Sequence, residues 1–440
     1  MERPASTCAS PTRTRRWRVT TSPGIGAKPM SRRRDEYLVS LDLGTATTRV
    51  AIGCWRADGS LILEGYSEAP TRGVNRGLIV DAAAAADTVA EAIAQAADLA
   101  RVRVCTVLAP VGTPFARALN SRGCIGITHE DKLVRASDVQ QALAAANRVS
   151  LPSDRAVAEV HGQGFAVDDV RGVDNPIGMA CGRLEAELHV VSDSLSAHAN
   201  VRQAVRKAGY HLERILYGPL AAAEAVLTPE EKALGCAHVD IGAGKTTVSI
   251  YLGGYPRYTR VLPIGSQHIT NDLAIGLNAS VADAEQVKLR CGIADLRRPR
   301  NGDTCQTLDV PLADGHGPQA VPLWRVSLII RARVDEIFEL VARELDRGGS
   351  SAAACRRVVL TGGFCRMGGA LAAAHRALHR TVRLGRVEMP SILPQFQSEP
   401  VHAVVLGALG RGRFHREQKS DRRFEERGMR TMLKRVAGWL

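Results

Sequence analysis

The sequence predicts an α/β protein in which two similar domains face each other across a central cleft, with a small α+β unit inserted in the first. Three segments carry this expectation. Leu41-Asp42-Leu43-Gly44-Thr45-Ala46-Thr47-Thr48-Arg49-Val50-Ala51-Ile52 and Val239-Asp240-Ile241-Gly242-Ala243-Gly244-Lys245-Thr246-Thr247-Val248-Ser249-Ile250-Tyr251 share one pattern about 200 residues apart. Each runs apolar-Asp-apolar-Gly, then through small or hydroxylic residues into a β-branched run, which reads as strand, tight turn and strand. The third segment, Arg357-Val358-Val359-Leu360-Thr361-Gly362-Gly363-Phe364-Cys365-Arg366-Met367-Gly368-Gly369, reads as an apolar strand, a Gly-Gly turn and the approach to an Ala/Leu-rich helix from about Ala370.

Glycine lets backbone N–H groups come close to a phosphate because no Cβ intervenes. One such loop is also what an ordinary glycine hairpin looks like; two copies make coincidence a much weaker explanation. A nucleotide between them would have its phosphates held from both sides. Asp42 and Asp240, at the mouths of the turns, could hold Mg²⁺ directly or through water. The paired Gly362 and Gly363 leave space for a flat ring against the backbone.

Composition bounds the class. At 440 residues, with 45% hydrophobic and 23% charged residues, the chain can hold two large domains and is globular. The net charge of +13 is concentrated at the ends. Residues 1–36 carry nine Lys/Arg against three acids, and residues 411–440 carry ten against four, which leaves about +1 for the remainder. This argues against a nucleic-acid face on the body and for tails that meet an anionic surface. The ten cysteines form no C-x-x-C and have no accompanying His cluster, so they read mostly as buried free thiols in a reducing cytosol. No run of 18 apolar residues is present, and no transmembrane helix is expected.

In chain order, residues 1–36 read as a disordered basic arm. Residues 37–102 and 183–217 read as the first domain, with Asp81 capping a helix from about Ala82 to Leu99. Residues 103–182 read as the inserted unit: strands at Val104 to Ala109, Cys124 to Ile127, Val157 to Val160 and Gly164 to Val167, and a helix from Ser137. Residues 218–410 read as the second domain, with a smaller subdomain at about 265–325. It opens on a small-residue helix, Gly218 to Leu227. Glu285 and Lys288 share one helical face, residues 297–319 read as a polar loop, and a buried helix closes the domain at Gly410. Residues 411–428 read as a flexible linker. Met429, Met432, Leu433, Val436 and Leu440 then form one apolar stripe with Trp439 at its edge, while Arg430, Lys434 and Arg435 lie elsewhere on the helix. Twelve residues cannot span a bilayer but can lie in its headgroup plane.

In order and spacing, the three glycine segments resemble the first phosphate, second phosphate and adenosine loops of the actin-like ATPases. The early insertion, with its Asp174-Asn175-Pro176-Ile177-Gly178 turn, and the amphipathic tail narrow the resemblance to the bacterial cell-division FtsA family. It implies an actin-like, ribonuclease H-like fold and ATP with Mg²⁺ as cofactors. It implies nucleotide contacts from Gly44, Thr45, Ala46, Gly242, Ala243, Gly244, Lys245, Glu285, Lys288, Gly362 and Gly363, with the metal at Asp42 and Asp240. It further implies self-assembly into filaments, an inserted subdomain that meets the next subunit and later division proteins, and a tether for the tubulin-like FtsZ. The site of action implied is the cytoplasmic face of the inner membrane at the division site, on anionic lipid contacted by residues 429–440. The second loop departs from the family pattern Asp-x-Gly-Gly-Gly-Thr-x-Asp: Ala243 replaces a glycine, Lys245 the threonine and Thr247 the last aspartate. No general base for an attacking water is identifiable, so hydrolysis is not assigned. A sugar kinase or exopolyphosphatase-like enzyme of the same superfold, or a pilus-assembly relative, is the alternative.

Overall fold

The computed structural model describes residues 37–56, 60–294, 306–313, 317–349, 351, 355–387, 396 and 399–424, with side chains of the last helix to residue 413. Strands β1 (Tyr37–Leu43), β2 (Thr47–Trp55) and β3 (Leu61–Pro70) form an antiparallel meander. A small hairpin, β4 (Val74–Asn75) and β5 (Leu78–Ile79), turns at Arg76 and Gly77, both at positive φ. It leads to helix α1 (Ala82–Ala100), capped by the Asp81 carboxylate, which accepts from the amides of Ala83 and Ala84. Strand β6 (Thr106–Val111) follows. The insertion comprises β7 (Arg117–Gly126), α2 (Ala136–Ala146), β8 (Arg155–Val167), β9 (Val170–Val173) and β10 (Arg183–Ser194), in the sheet order β7-β10-β8-β9. Helix α3 (Leu195–Lys207) and β11 (His211–Tyr217) complete the first half, whose sheet runs β11-β6-β1-β2-β3.

The second half repeats this plan. After α4 (Gly218–Val226) and α5 (Pro229–Leu234), strands β12 (Cys236–Ile241), β13 (Thr246–Leu252) and β14 (Tyr255–Leu262) form a second meander. Then come α6 (Ser266–Leu277), α7 (Val281–Cys291), the ribbon β15 (Thr307–Pro311) and β16 (Pro318–Pro322), and α8 (Leu323–Arg347). Strand β17 (Arg357–Thr361), a 3₁₀ turn (Gly363–Arg366), α9 (Ala370–Leu378) and β18 (Thr381–Leu384) precede a second 3₁₀ turn (Pro400–His402) and the last helix, α10 (Ala403–Phe424). The sheet order β14-β13-β12-β17-β18 matches the first sheet strand for strand, with β17 and β18 parallel to β12 as β6 and β11 are to β1. This duplicated α/β plan, with its insertion, is the actin-like architecture.

Each sheet buries one face under its own helices. Val39, Leu41, Val50 and Ile52 pack on Val89, Ile93 and Val205 in the first half. Val239, Val248 and Ile250 belong to the core that includes Ile269, Ile330, Ile337 and Phe338 in the second. A third cluster joins the halves: Leu38 and Ala51 of the first sheet, Tyr251 and Val359 of the second, and Leu220, Leu406 and Leu409 of α4 and α10. Small residues make that helix crossing close. A Cβ on Gly407 would lie 2.0 Å from the Ala221 carbonyl oxygen. The insertion braces the second sheet at β14, where Asn120 donates to the Arg257 carbonyl at 2.9 Å and His189 meets Thr259 at 3.0 Å.

Several boundaries differ from the sequence reading. Strand β6 belongs to the first sheet, paired in parallel with β1 and β11, and not to the inserted unit. Strand β10, read as returning to the first domain, is the central strand of the inserted sheet, between β7 and β8. The two strands expected at 157–167 are one long strand with register shifts. Within the expected loop at 297–319, β15 pairs with β16, and the ribbon holds because Val310 and Val321 are buried in the second core. Residues 411–424 continue α10 where a flexible linker was expected; Arg411 is half-buried and forms ion pairs with Glu159 and Glu224. Of the eight described cysteines, four are buried (Cys54, Cys181, Cys236 and Cys355) and all eight are free thiols. Residues 1–36, 425–428 and 429–440, read as the basic arm, the end of the linker and the amphipathic helix, lie outside the described residues.

Candidate functional site

The two hairpins are equivalent in register. Asp42 lies opposite Arg49 and Leu43 opposite Thr48; Asp240 lies opposite Thr247 and Ile241 opposite Thr246. Each loop is therefore four residues long and each aspartate sits one residue inside the strand end. In the first loop only glycine fits at position 44, because a Cβ there would lie 2.6 Å from the Thr47 carbonyl oxygen. In the second, the Gly242 amide donates to the Lys245 carbonyl at 2.9 Å and closes the turn. Gly242, Ala243 and Gly244 are absent from the residues at positive φ, so Ala243 sits in this turn without backbone strain.

The loops meet. A Cβ on Gly244 would lie 2.5 Å from the Arg76 Cα and 2.8 Å from the Thr45 hydroxyl oxygen, so the second loop packs on both the first loop and the tip of the β4–β5 hairpin. The start of α6 is pinned to the second loop: the amides of Ser266 and Gln267 donate to the carbonyls of Gly242 and Ala243 at 2.9 and 2.8 Å. The third loop joins from the other side. Gly362 adopts φ +91° and ψ 171°, a conformation open essentially to glycine alone. A Cβ there would lie 2.3 Å from the Ile241 carbonyl oxygen, whereas Gly363 faces open space. Thr361 Oγ1 donates to Asp240 Oδ1 at 3.0 Å, tying the second and third loops together. Ala46 sits at the exposed tip of the first loop, its carbonyl accepting from the Thr71 amide at 3.0 Å.

Glu285 and Lys288 pair at 2.6 Å on α7, and both bond the Thr270 hydroxyl, at 2.5 and 2.8 Å. Lys288 Nζ reaches the Ser266 carbonyl at 3.4 Å, which links this pair to the end of α6 that rests on the second loop.

The electrostatics follow from burial. Desolvation pushes the Asp42 carboxyl up to about 6, against the pull of Arg49 and Lys245. Burial likewise raises Asp240, opposed by Lys245 and by the Thr361 hydrogen bond. Burial lowers Lys245, while Asp240, Asp42 and Asp193 favour its charged form. The Lys245 ammonium donates to the Gly112 carbonyl just after β6. As a donor set for a divalent cation the site is poor: two carboxylates, one of them already accepting a hydroxyl, share their surroundings with a resident ammonium. Among the described residues no group of three or more His, Cys, Asp or Glu is arranged to hold a metal.

Sequence reasoning missed several of these groups. Arg49 could have been found from the hairpin register alone. Gly112, Thr361 and the hairpin tip at Arg76 and Gly77 come from other elements, and no local signal assigns them to the loops.

The profile described as "Cell division protein FtsA" matches residues 237–407, and that of the "SHS2 domain inserted in FTSA" matches residues 116–192, the stretch from β7 into β10. The chain is 33% identical to the cell division protein FtsA of Pseudomonas aeruginosa over 85% of its own length and 88% of the relative's. It is 28% identical to that of Escherichia coli (92% and 97%) and 32% identical to that of Bacillus subtilis (80% and 78%). Among solved structures, a type IV pilus biogenesis complex of PilM and PilN superposes with TM-score 0.63 at 19% identity, covering 86% of this chain and 99% of that one. MreB5 of Spiroplasma citri bound to ADP superposes with TM-score 0.51 at 13% identity, covering 90% and 99%. At these identities the structural matches establish the actin-like fold alone. The duplicated sheets, the early insertion and the near-full-length likeness to these relatives lead to one conclusion: the chain belongs to the FtsA family of bacterial cell-division proteins.

Proposed function

We propose that this chain binds ATP between its two halves, assembles with copies of itself, and tethers FtsZ to the cytoplasmic face of the inner membrane at the division site. The observation that supports this best is the meeting of two register-equivalent glycine hairpins with a third glycine loop whose Gly363 faces open space. Backbone amides of Gly44, Thr45, Ala46, Ala243 and Gly244 suit phosphates, Gly242 shapes the second turn through its bond to the Lys245 carbonyl, and Gly362 and Gly363 suit the adenosine ring. Glu285 and Lys288 are assigned to the adenosine, and Lys288 also reaches the end of α6 that rests on the second loop. ATP acts here as an assembly switch: its binding joins the halves, and no group in the site is assigned to activate water. Later division proteins and the next subunit are received by the inserted β7–β10 unit.

The membrane contact is assigned to residues 429–440, whose apolar stripe and basic residues suit an interfacial helix on anionic lipid. No described helix is long and apolar enough to cross a membrane. Co-sedimentation with anionic liposomes, comparing the full chain with one ending at Arg427, with and without ATP, tests the reading. The full chain is expected to pellet and the shortened one to remain in the supernatant; equal pelleting removes the tether.

A further inference from the structure

The two aspartates at the loops each have a basic neighbour within their own hairpin. Arg49 stands directly across the strand pair from Asp42. Lys245 closes the second loop and is the principal positive charge acting on Asp240. At the equivalent position of the first loop the chain carries Thr47, an uncharged residue. The Lys245 ammonium is held in place from the opposite half: it donates to the Gly112 carbonyl, and a Cβ on Gly77 would come within 3.4 Å of it. A divalent cation shared by Asp42 and Asp240 would lie in the field of this fixed ammonium, and each carboxylate already has a cationic neighbour.

We propose that this chain takes its nucleotide as the metal-free anion, with Lys245 as the resident counter-ion for the phosphates. This rests on the ATP-binding reading above and specifies the chemical form of its ligand. An ammonium is a point charge that serves phosphate oxygens without a fixed coordination number. Lys245 therefore neutralises phosphate charge without the octahedral shell that magnesium requires.

Titration of the full chain with a fluorescent ribose-labelled ATP analogue, in excess magnesium chloride and separately in EDTA, tests the proposal. The wild-type dissociation constant is expected to agree within about twofold between the two conditions. Lys245→Thr, checked for folding by circular dichroism, is expected to lose affinity about tenfold or more in EDTA and to regain part of it with magnesium. A wild-type affinity that falls about tenfold on chelation overturns the proposal while leaving ATP binding intact. No binding in either condition overturns the ATP-binding reading and this inference with it. The wild-type comparison stands by itself if the variant does not fold.

Discussion

Truncating Arg411 to Ala distinguishes a docked helix from a flexible linker. The Arg411 side chain is 13% exposed and lies between Glu159 of β8, 6% exposed, and Glu224 of α4, 31% exposed. Burial opposes its charge, but the two carboxylates outweigh that and raise its affinity for the proton. The other oxygen of Glu159 accepts from the Tyr217 amide at 3.0 Å, so this carboxylate stays buried when the guanidinium is removed. Leaving one member of a buried pair alone costs about 3–5 kcal/mol. The partial exposure of Glu224 sets this case near the lower end, at about 3 kcal/mol. A linker arginine in solvent would change stability by no more than about 0.5 kcal/mol. Urea unfolding of the full chain, followed by far-UV circular dichroism, reads the difference. With a slope of about 3 kcal/mol per molar, the midpoint of the first transition should fall by about 1 M. The charge-neutral triple variant Arg411→Met, Glu159→Gln, Glu224→Gln should recover most of that loss, since no buried charge is left unpaired. A single variant whose midpoint stays within about 0.2 M of wild type refutes the reasoning.

Three further outcomes are expected. Gly407→Ala gains about 1 kcal/mol in helix propensity but drives a methyl group to 2.0 Å from the Ala221 carbonyl oxygen. Overpacking of about 1–3 kcal/mol or more wins, the thermal midpoint drops, and a variant as stable as wild type would contradict the close α4–α10 crossing. Burial alone would raise the Glu68 carboxyl, but Arg49, the Tyr66 hydroxyl and Arg366 hold it down at about 2. Its folded-state value lies below the ordinary one, so its stabilisation is present above about pH 4.5 and is lost as pH falls toward 2. Glu68→Gln should therefore cost about 2 kcal/mol near neutral pH, after a discount for partial exposure, and only a small fraction of that near pH 2; thermal midpoints of the two proteins that run parallel across that range would exclude it. Gly362→Ala forces a residue with a Cβ into φ +91° and sets that atom 2.8 Å from Asp240 Oδ1. Strain of about 1–3 kcal/mol is expected, together with about tenfold weaker binding of the fluorescent ATP analogue; a folded variant with unchanged affinity would separate the third loop from the nucleotide site.

Short-range pattern in the amino-acid order was enough to read part of this protein. Both aspartate–glycine hairpins, the Gly-Gly turn before α9 and the Asp81 cap of α1 were legible because each depends on residues within a few positions of one another. The repetition of the hairpin also implied the duplicated halves. Tertiary structure decided what depends on distant partners. Alternation and β-branching mark β6 and β10 as strands, but which sheet each joins is set by pairing with β1 in one case and with β7 and β8 in the other. The ribbon at 307–322 exists because Val310 and Val321 find a core supplied by other elements. The charge of Arg411 suggested solvent, yet two carboxylates from β8 and α4 neutralise it and let the last helix stay packed. The loops were recognisable singly. That the second packs against Thr45 and Arg76, with Lys245 held by the Gly112 carbonyl, follows only when two halves separated by some 200 residues are brought face to face.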